Sequence, residues 1–129
     1  MTVDLRNARD ETLSRMREQL EKNADAIARE RRVSIDMKEV VYFPPSEFAP
    51  ELVERVRAAA RELGYSHRDI VSGAAHDAVY LARVAPTAMV FVPCEGGISH
   101  NETENARPAD LAAGCSVMLQ AVLGTAGTG

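Results

Sequence analysis

Two consecutive prolines, Pro44 and Pro45, constrain the fold of this chain more than any other feature. Before them, apolar side chains alternate on odd positions over residues 33–43, which predicts a half-buried strand. Proline has no backbone N–H for a sheet ladder, so the strand must end there. The prolines therefore predict a boundary between residues 1–43 and residues 44–129.

The part before the prolines reads as a β-α-β unit. Val3 and Leu5 give a strand over residues 2–6 one apolar face. Apolar residues at steps of three and four then predict a helix over residues 8–31, followed by the strand at 33–43. A unit of this size is too small to form a stable domain by itself.

The part after the prolines alternates between helices and one apolar run. A helix should begin at Pro50 and stop at Gly64, and a short helix should cover residues 77–83. The run at 87–92 predicts a strand buried on both faces. A last helix should begin at Pro108 and stop at Gly124. The fold class is therefore α/β or α+β with two layers.

Composition excludes several classes of protein. The chain has 129 residues, 15 basic and 19 acidic, so its net charge is −4, which argues against nucleic-acid binding. No uninterrupted apolar run is long enough for a membrane span, and no secretory signal is expected. Cys94 and Cys115 lack a Cys-x-x-Cys partner and indicate reduced thiols in a cytoplasmic protein.

The strongest candidate for chemistry is the loop over residues 95–104, between the buried run and the last helix. Ligands of α/β sheets bind beyond the carboxyl ends of strands. His100 lies there among Asn101, Glu102 and Glu104, and a histidine held by carboxylates is a plausible metal ligand. The alternative is a solvated histidine on a surface loop.

A second candidate is the small-residue segment 72–78, which contains His76 and Asp77. Small residues let a backbone approach a ligand closely. The alternative is an ordinary helix N-terminus with Ser72 as its cap.

The third candidate is Arg6 at the end of the first predicted strand. Its guanidinium suits bidentate recognition of a carboxylate. The alternative is an ordinary exposed arginine.

A complete metal site is missing from the sequence pattern. A catalytic zinc site needs about three protein ligands. None of the histidines His67, His76 and His100 forms an i, i+4 or His-x-His pair. The pattern offers one good ligand only.

Several motifs together resemble the hydantoinase/carbamoylase family of amidases, within the metal-dependent aminoacylase and carboxypeptidase superfamily. The family includes N-carbamoyl-L-amino-acid hydrolases, β-ureidopropionases and allantoate amidohydrolases. The resemblance covers nearly the whole chain. It rests on TVDLR at 2–6, SGAAHDA at 72–78, PTAMVFVPC at 86–94, GISHNETE at 97–104 and PADLAAG at 108–114.

The resemblance implies an architecture. Residues 1–43 would be the end of a ferredoxin-like lid and dimerisation domain. Residues 44–129 would be the C-terminal part of a metallopeptidase-like α/β catalytic domain. The family implies two divalent metals, Zn or Mn, a homodimer, and N-carbamoyl amino acids or ureido acids as substrates.

The resemblance also implies roles for individual residues. His100 would bind one metal, His76 would face the substrate and polarise the scissile amide, and Arg6 would grip the substrate carboxylate. Ala75 stands where many relatives have glycine, so its methyl group could alter the substrate fit. The family's other metal ligands and its general-base glutamate match no position in this chain.

Three hypotheses about function follow. The chain is a C-terminal fragment of such an amidohydrolase, inactive alone. Alternatively, it is half of a split enzyme that needs a second chain, or a non-catalytic dimerisation module on the same fold.

Overall fold

The computed structural model describes residues 1–127 as two compact units. Unit 1 comprises Met1–Ser46 and Val71–Ala75, and unit 2 comprises Glu47–Ile70 and the residues from His76 onward. Within these residues, four α-helices and one short 3-10 turn make up the regular structure. They are α1 (Asp10–Arg31), α2 (Pro50–Glu62), α3 (Asp77–Leu81), the turn Glu95–Gly97, and α4 (Pro108–Ala126).

Unit 1 contains α1 and extended segments. The helix follows the predicted period, and its acidic first turn and basic last turn complement the helix dipole. Arg32 ends it in the left-handed conformation, with a φ of 54°. None of its residues is fully buried: Leu13, Met16 and Leu20 of the apolar stripe are half-buried, and Ile27 is exposed, so this unit covers the stripe only in part. Arg17 links α1 to Glu39 through a 2.8 Å ion pair.

Unit 2 is built around the contact between α2 and α4. Pro50 opens α2 and Gly64, with a φ of 73°, follows its end, as the sequence predicts. The buried core consists of Ala59, Ala60 and Val117; Val56, Val90 and Ala121 pack against it. The small alanine side chains let the two helices approach closely. A 3.0 Å hydrogen bond from Gln120 Nε2 to Glu62 Oε2 also joins these helices.

The predicted strands do not appear as strands within residues 1–127. The segments 2–6, 33–43 and 87–92 lie outside the helices but form no ladder with a neighbour, so the β-α-β remnant is not shown. A strand exists through its hydrogen bonds to an adjacent strand, and period-two apolar patterns do not by themselves supply that partner. The described part of the chain is helical with extended connections.

The last helix also differs from its prediction. It passes through Gly124 and ends at Ala126, because a single glycine inside a helix costs only about 1 kcal/mol. With a mean hydropathy of 1.3, α4 is long and apolar enough to cross a membrane, contrary to the sequence expectation. Length and composition are weak evidence for a span, because core helices pass the same test. In α4, Val117 is buried against α2, whereas large apolar side chains such as Leu119 and Leu123 are exposed.

Replacing each of two glycines of α4 by alanine is expected to have opposite effects on the free energy of unfolding. A Cβ on Gly114 would stand 2.5 Å from Val92 Cγ1, whereas a Cβ on Gly124 would meet nothing within 4 Å. We expect Gly114→Ala to lower the free energy of unfolding by roughly 1 kcal/mol, because an overpacking cost of about 1–3 kcal/mol exceeds the gain in helix propensity. We expect Gly124→Ala to raise it by about 0.5–1 kcal/mol.

Urea unfolding of the two variants beside the wild-type chain measures this difference. Adding Val92→Ala to Gly114→Ala should recover part of the loss, because it removes the methyl group that the new Cβ meets. Equal effects of the two glycine substitutions would contradict the packing of Val92 against α4.

Candidate functional site

Arg6 in unit 1 is held by two oxygen acceptors. Its Nε and Nη2 donate to Asp4 Oδ2 at 2.9 and 2.6 Å, and its Nη1 donates to the carbonyl of Gly73 at 2.6 Å. The Arg6 and Asp4 side chains are both 62% exposed. One edge of the guanidinium is thus occupied by Asp4, and the Nη1/Nη2 end retains N–H groups for a further acceptor.

The Arg6–Asp4 pair predicts a pH dependence. The hydrogen bond from Arg6 lowers the pKa of Asp4 below its ordinary value. Because the folded-state pKa is lowered, the pair contributes stability above the unfolded pKa and loses it as the pH falls through the folded pKa. We expect NMR titration of the Asp4 carboxyl carbon to show a midpoint below that of an unpaired aspartate.

The variant Arg6→Ala is the control for this titration. It should return the midpoint of Asp4 to the ordinary aspartate value, and an unchanged midpoint in the variant would contradict the ion pair.

Two other predicted residues lie near the segment that supplies the Gly73 carbonyl. Ala75 is exposed and belongs to unit 1 with Gly73. His76 is half-buried in unit 2, where it is the N-cap of α3. Its ring meets Phe91 edge to face, with the ring centres 5.5 Å apart. Phe91 comes from the apolar run that the sequence assigned to a buried strand, and the contact restricts the orientation of the imidazole.

The loop that carries His100 is closed at its base. Glu95 and Asn105 form two hydrogen bonds, Glu95 N to Asn105 O at 2.7 Å and Asn105 Nδ2 to Glu95 Oε2 at 3.0 Å. Gly96 and Gly97 take positive φ values of 63° and 69°, which lie outside the 3-10 range and which glycine adopts without strain. The closed base separates a loop of residues 96–104 from α4.

His100 itself has an unusual backbone. Its φ is 55°, a left-handed value that non-glycine residues rarely adopt. Its backbone N–H donates to Glu104 Oε2 at 2.7 Å. The other oxygen of the same carboxylate, Oε1, lies 3.8 Å from Cys94 Sγ and accepts a hydrogen bond from that thiol. Both cysteines are free, as the sequence predicts.

The donor set of this chain does not complete a metal centre. Within residues 1–127, no three His, Cys, Asp or Glu side chains lie close enough together to hold a metal ion. The Glu104 carboxylate is already bonded to a backbone N–H and a thiol. Within residues 1–127, His100 therefore belongs to no group of three side chains that could bind a metal ion.

The sequence singles out Arg6, His76 and His100 as candidates and Glu104 as a neighbour of His100, but it does not single out Asp4 or Phe91. Asp4 was detectable, since residues two apart share one face of an extended segment. Glu104 does contact His100, but the hydrogen bond is to the backbone N–H. The contact of Phe91 with His76 has no local signal in the sequence beyond the apolarity of the run. The structure holds Arg6 within unit 1 and both histidines within unit 2.

Comparison with known proteins identifies the class. The description "Peptidase family M20/M25/M40" matches residues 8–124, so the chain belongs to that family. It is 47% identical over 125 residues to an N-carbamoyl-L-amino-acid amidohydrolase of Rhizobium meliloti, covering 97% of this chain and 30% of that enzyme. It is 34% identical over 118 residues to a ureidoglycolate hydrolase of Arabidopsis thaliana, covering 91% and 24%.

Solved structures agree with the sequence relatives. A hydantoinase/carbamoylase family amidase from Burkholderia vietnamiensis superposes with a TM-score of 0.79 at 49% identity, covering 92% of this chain and 29% of that one. Another from Burkholderia ambifaria gives a TM-score of 0.83 at 37% identity, covering 92% and 28%. The resemblance inferred from the motifs is confirmed, and the chain spans about 30% of the length of the relatives it matches.

Proposed function

We propose that this chain forms the C-terminal part of an amidohydrolase that cleaves the C–N bond of N-carbamoyl amino acids or related linear amides. The single observation that carries the proposal is the 47% identity, over 97% of this chain, to a protein named N-carbamoyl-L-amino-acid amidohydrolase. The matched region includes all three candidate residues, Arg6, His76 and His100.

Arg6 is proposed to bind the substrate carboxylate. Asp4 and the Gly73 carbonyl hold the guanidinium while leaving N–H groups at its outer end. A carboxylate can accept two hydrogen bonds from such an end in a fixed geometry. The exposed position of Arg6 supports this role, because a substrate must reach it.

His76 and Ala75 are proposed to contact the reacting part of the substrate. His76 is half-buried and oriented by the edge of Phe91, so its imidazole has a restricted direction in which to donate to an amide oxygen. Ala75 precedes it and is exposed. The proposed result is polarisation of the scissile amide.

His100 is proposed to supply one ligand of a Zn or Mn site whose other ligands come from outside this chain. Imidazole nitrogen is a preferred donor for zinc. Since residues 1–127 do not complete a donor set, we assign no hydrolytic step through a metal to this chain. Two metals per complete site remain the expectation from family resemblance.

The division of the chain is part of the same proposal. Residues 1–43 would end a lid and dimerisation domain, and residues 44–129 would belong to the catalytic domain of a homodimeric enzyme. The segment 33–43 has no ladder partner within residues 1–127, which supports pairing with a strand from outside the described part of the chain. The exposed side chains of Val33, Ile35 and Phe43 support packing of the same segment against a further apolar surface. The chain alone is then expected to be inactive.

A chimera tests the proposed function. The 129-residue chain replaces the matching residues of the Rhizobium meliloti relative, and release of free amino acid from N-carbamoyl-L-amino acids is measured. We expect turnover by the chimera and none by the chain alone under the same zinc or manganese supply.

The outcomes separate the hypotheses. A folded chimera without turnover would contradict the catalytic proposal and favour a non-catalytic dimerisation module. Turnover after simple mixing of this chain with the complementary segment of the relative would favour a split enzyme.

A further inference from the structure

The loop that carries His100 contains two carboxylates, Glu102 and Glu104, which differ in their hydrogen bonding. Glu102 and Glu104 are both exposed and both near His100 in sequence. Only Glu104 is bonded within the loop, with one oxygen on the His100 backbone and the other on the Cys94 thiol. Glu104 therefore links His100 to Cys94, the residue that precedes the 3-10 turn.

The backbone of His100 needs such a partner. A non-glycine residue with a φ of 55° stores strain that persists only where surrounding contacts hold it. The 2.7 Å bond to Glu104 Oε2 is a charge-assisted hydrogen bond of the stronger class. The turn is completed by Glu104 N donating to Asn101 O at 2.9 Å, while Asn101 Oδ1 accepts from Thr103 N at 3.0 Å.

We propose that Glu104 is a positioning residue that holds His100 in its left-handed conformation and thereby directs the imidazole. In this role the carboxylate acts through the His100 backbone, because one oxygen accepts from His100 N while the other accepts from Cys94 Sγ. The value of this positioning for catalysis rests on the proposed function of His100, but the geometric claim is independent of it.

The test uses NMR on the 129-residue chain. A positive φ brings the amide proton of His100 close to its own Hα, which gives a strong intraresidue nuclear Overhauser effect. We expect that signal in the wild-type chain and its loss in Glu104→Ala. We also expect the His100 amide to exchange with solvent at least about tenfold faster in the variant, because a hydrogen bond to a charged group is lost.

Two further variants make the result specific. Glu104→Gln keeps an oxygen acceptor at the same reach without its charge, so it should restore the positive φ with intermediate exchange. Glu102→Ala removes a carboxylate that takes part in none of the loop's hydrogen bonds, so it should leave both signals as in the wild type. The methyl resonances of Ala59 and Val117 report whether the α2–α4 core has changed.

Retention of the positive φ and of slow exchange in Glu104→Ala would overturn the proposal. Equal changes in Glu102→Ala, or changes that spread to the core methyl groups, would also overturn it, because the effect would not be specific to Glu104. None of these measurements requires catalytic turnover. An inactive chimera would therefore contradict the proposed function without affecting the result for Glu104.

Discussion

In the chimera with the Rhizobium meliloti relative, His100→Ala is expected to reduce turnover of N-carbamoyl-L-amino acids by more than about 100-fold. Changes to residues that only support metal ligands cost about 10–100-fold, so loss of a ligand should exceed that range. The same variant should also lose one tightly bound metal. Turnover is measured by amino acid release and metal content by elemental analysis.

The matched control for this prediction is His67→Ala. His67 is an exposed histidine of unit 2 whose Nδ1 lies 3.1 Å from the Tyr65 carbonyl, and it belongs to none of the candidate sites. It should leave turnover and metal content unchanged. Full metal content in His100→Ala would refute the ligand assignment, even if turnover fell.

Arg6→Ala in the chimera should lower kcat/KM for N-carbamoyl amino acids by about 100-fold, mainly through KM, because a charge-assisted bidentate contact to the substrate carboxylate is lost. Steady-state kinetics on the carboxylate substrate and on its carboxamide analogue separate this contact from a general loss of structure. The carboxamide should be affected little.

Two arginine variants control the Arg6 result. Arg6→Lys keeps the charge but not the paired N–H groups, so it should recover only part of the loss. Arg29→Ala removes an exposed arginine of α1 that lies 4.0 Å from Asp25, and its kinetics should match those of the parent chimera. Equal losses for the carboxylate and carboxamide substrates would contradict a carboxylate-binding role.

The helices could be predicted because their signals are local. The period of α1, the proline that opens α2 and the glycine after its end are all encoded within a few residues. The short helix α3 was expected over 77–83 and occupies Asp77–Leu81. The end of α4 was misplaced because Gly124 lies inside the helix, where glycine is costly but tolerated.

The strands and the contacts of the candidate site depend on distant residues. Alternating apolar residues at 33–43 predict a strand, but its formation requires a neighbouring strand that residues 1–127 do not provide. Arg6 was identified from its type and its motif. Its contact with the Gly73 carbonyl joins residues far apart in the chain, and no sequence pattern signals it.

Metal stoichiometry tests the central claim that the catalytic site is completed by residues outside this chain. The purified 129-residue chain and the chimera are each dialysed after loading with zinc or manganese, and folding is checked by circular dichroism. The account predicts no tightly held metal on the folded chain and tightly held metal on the chimera. Two tightly held metals per isolated chain would contradict it, because this chain would then contain a complete site.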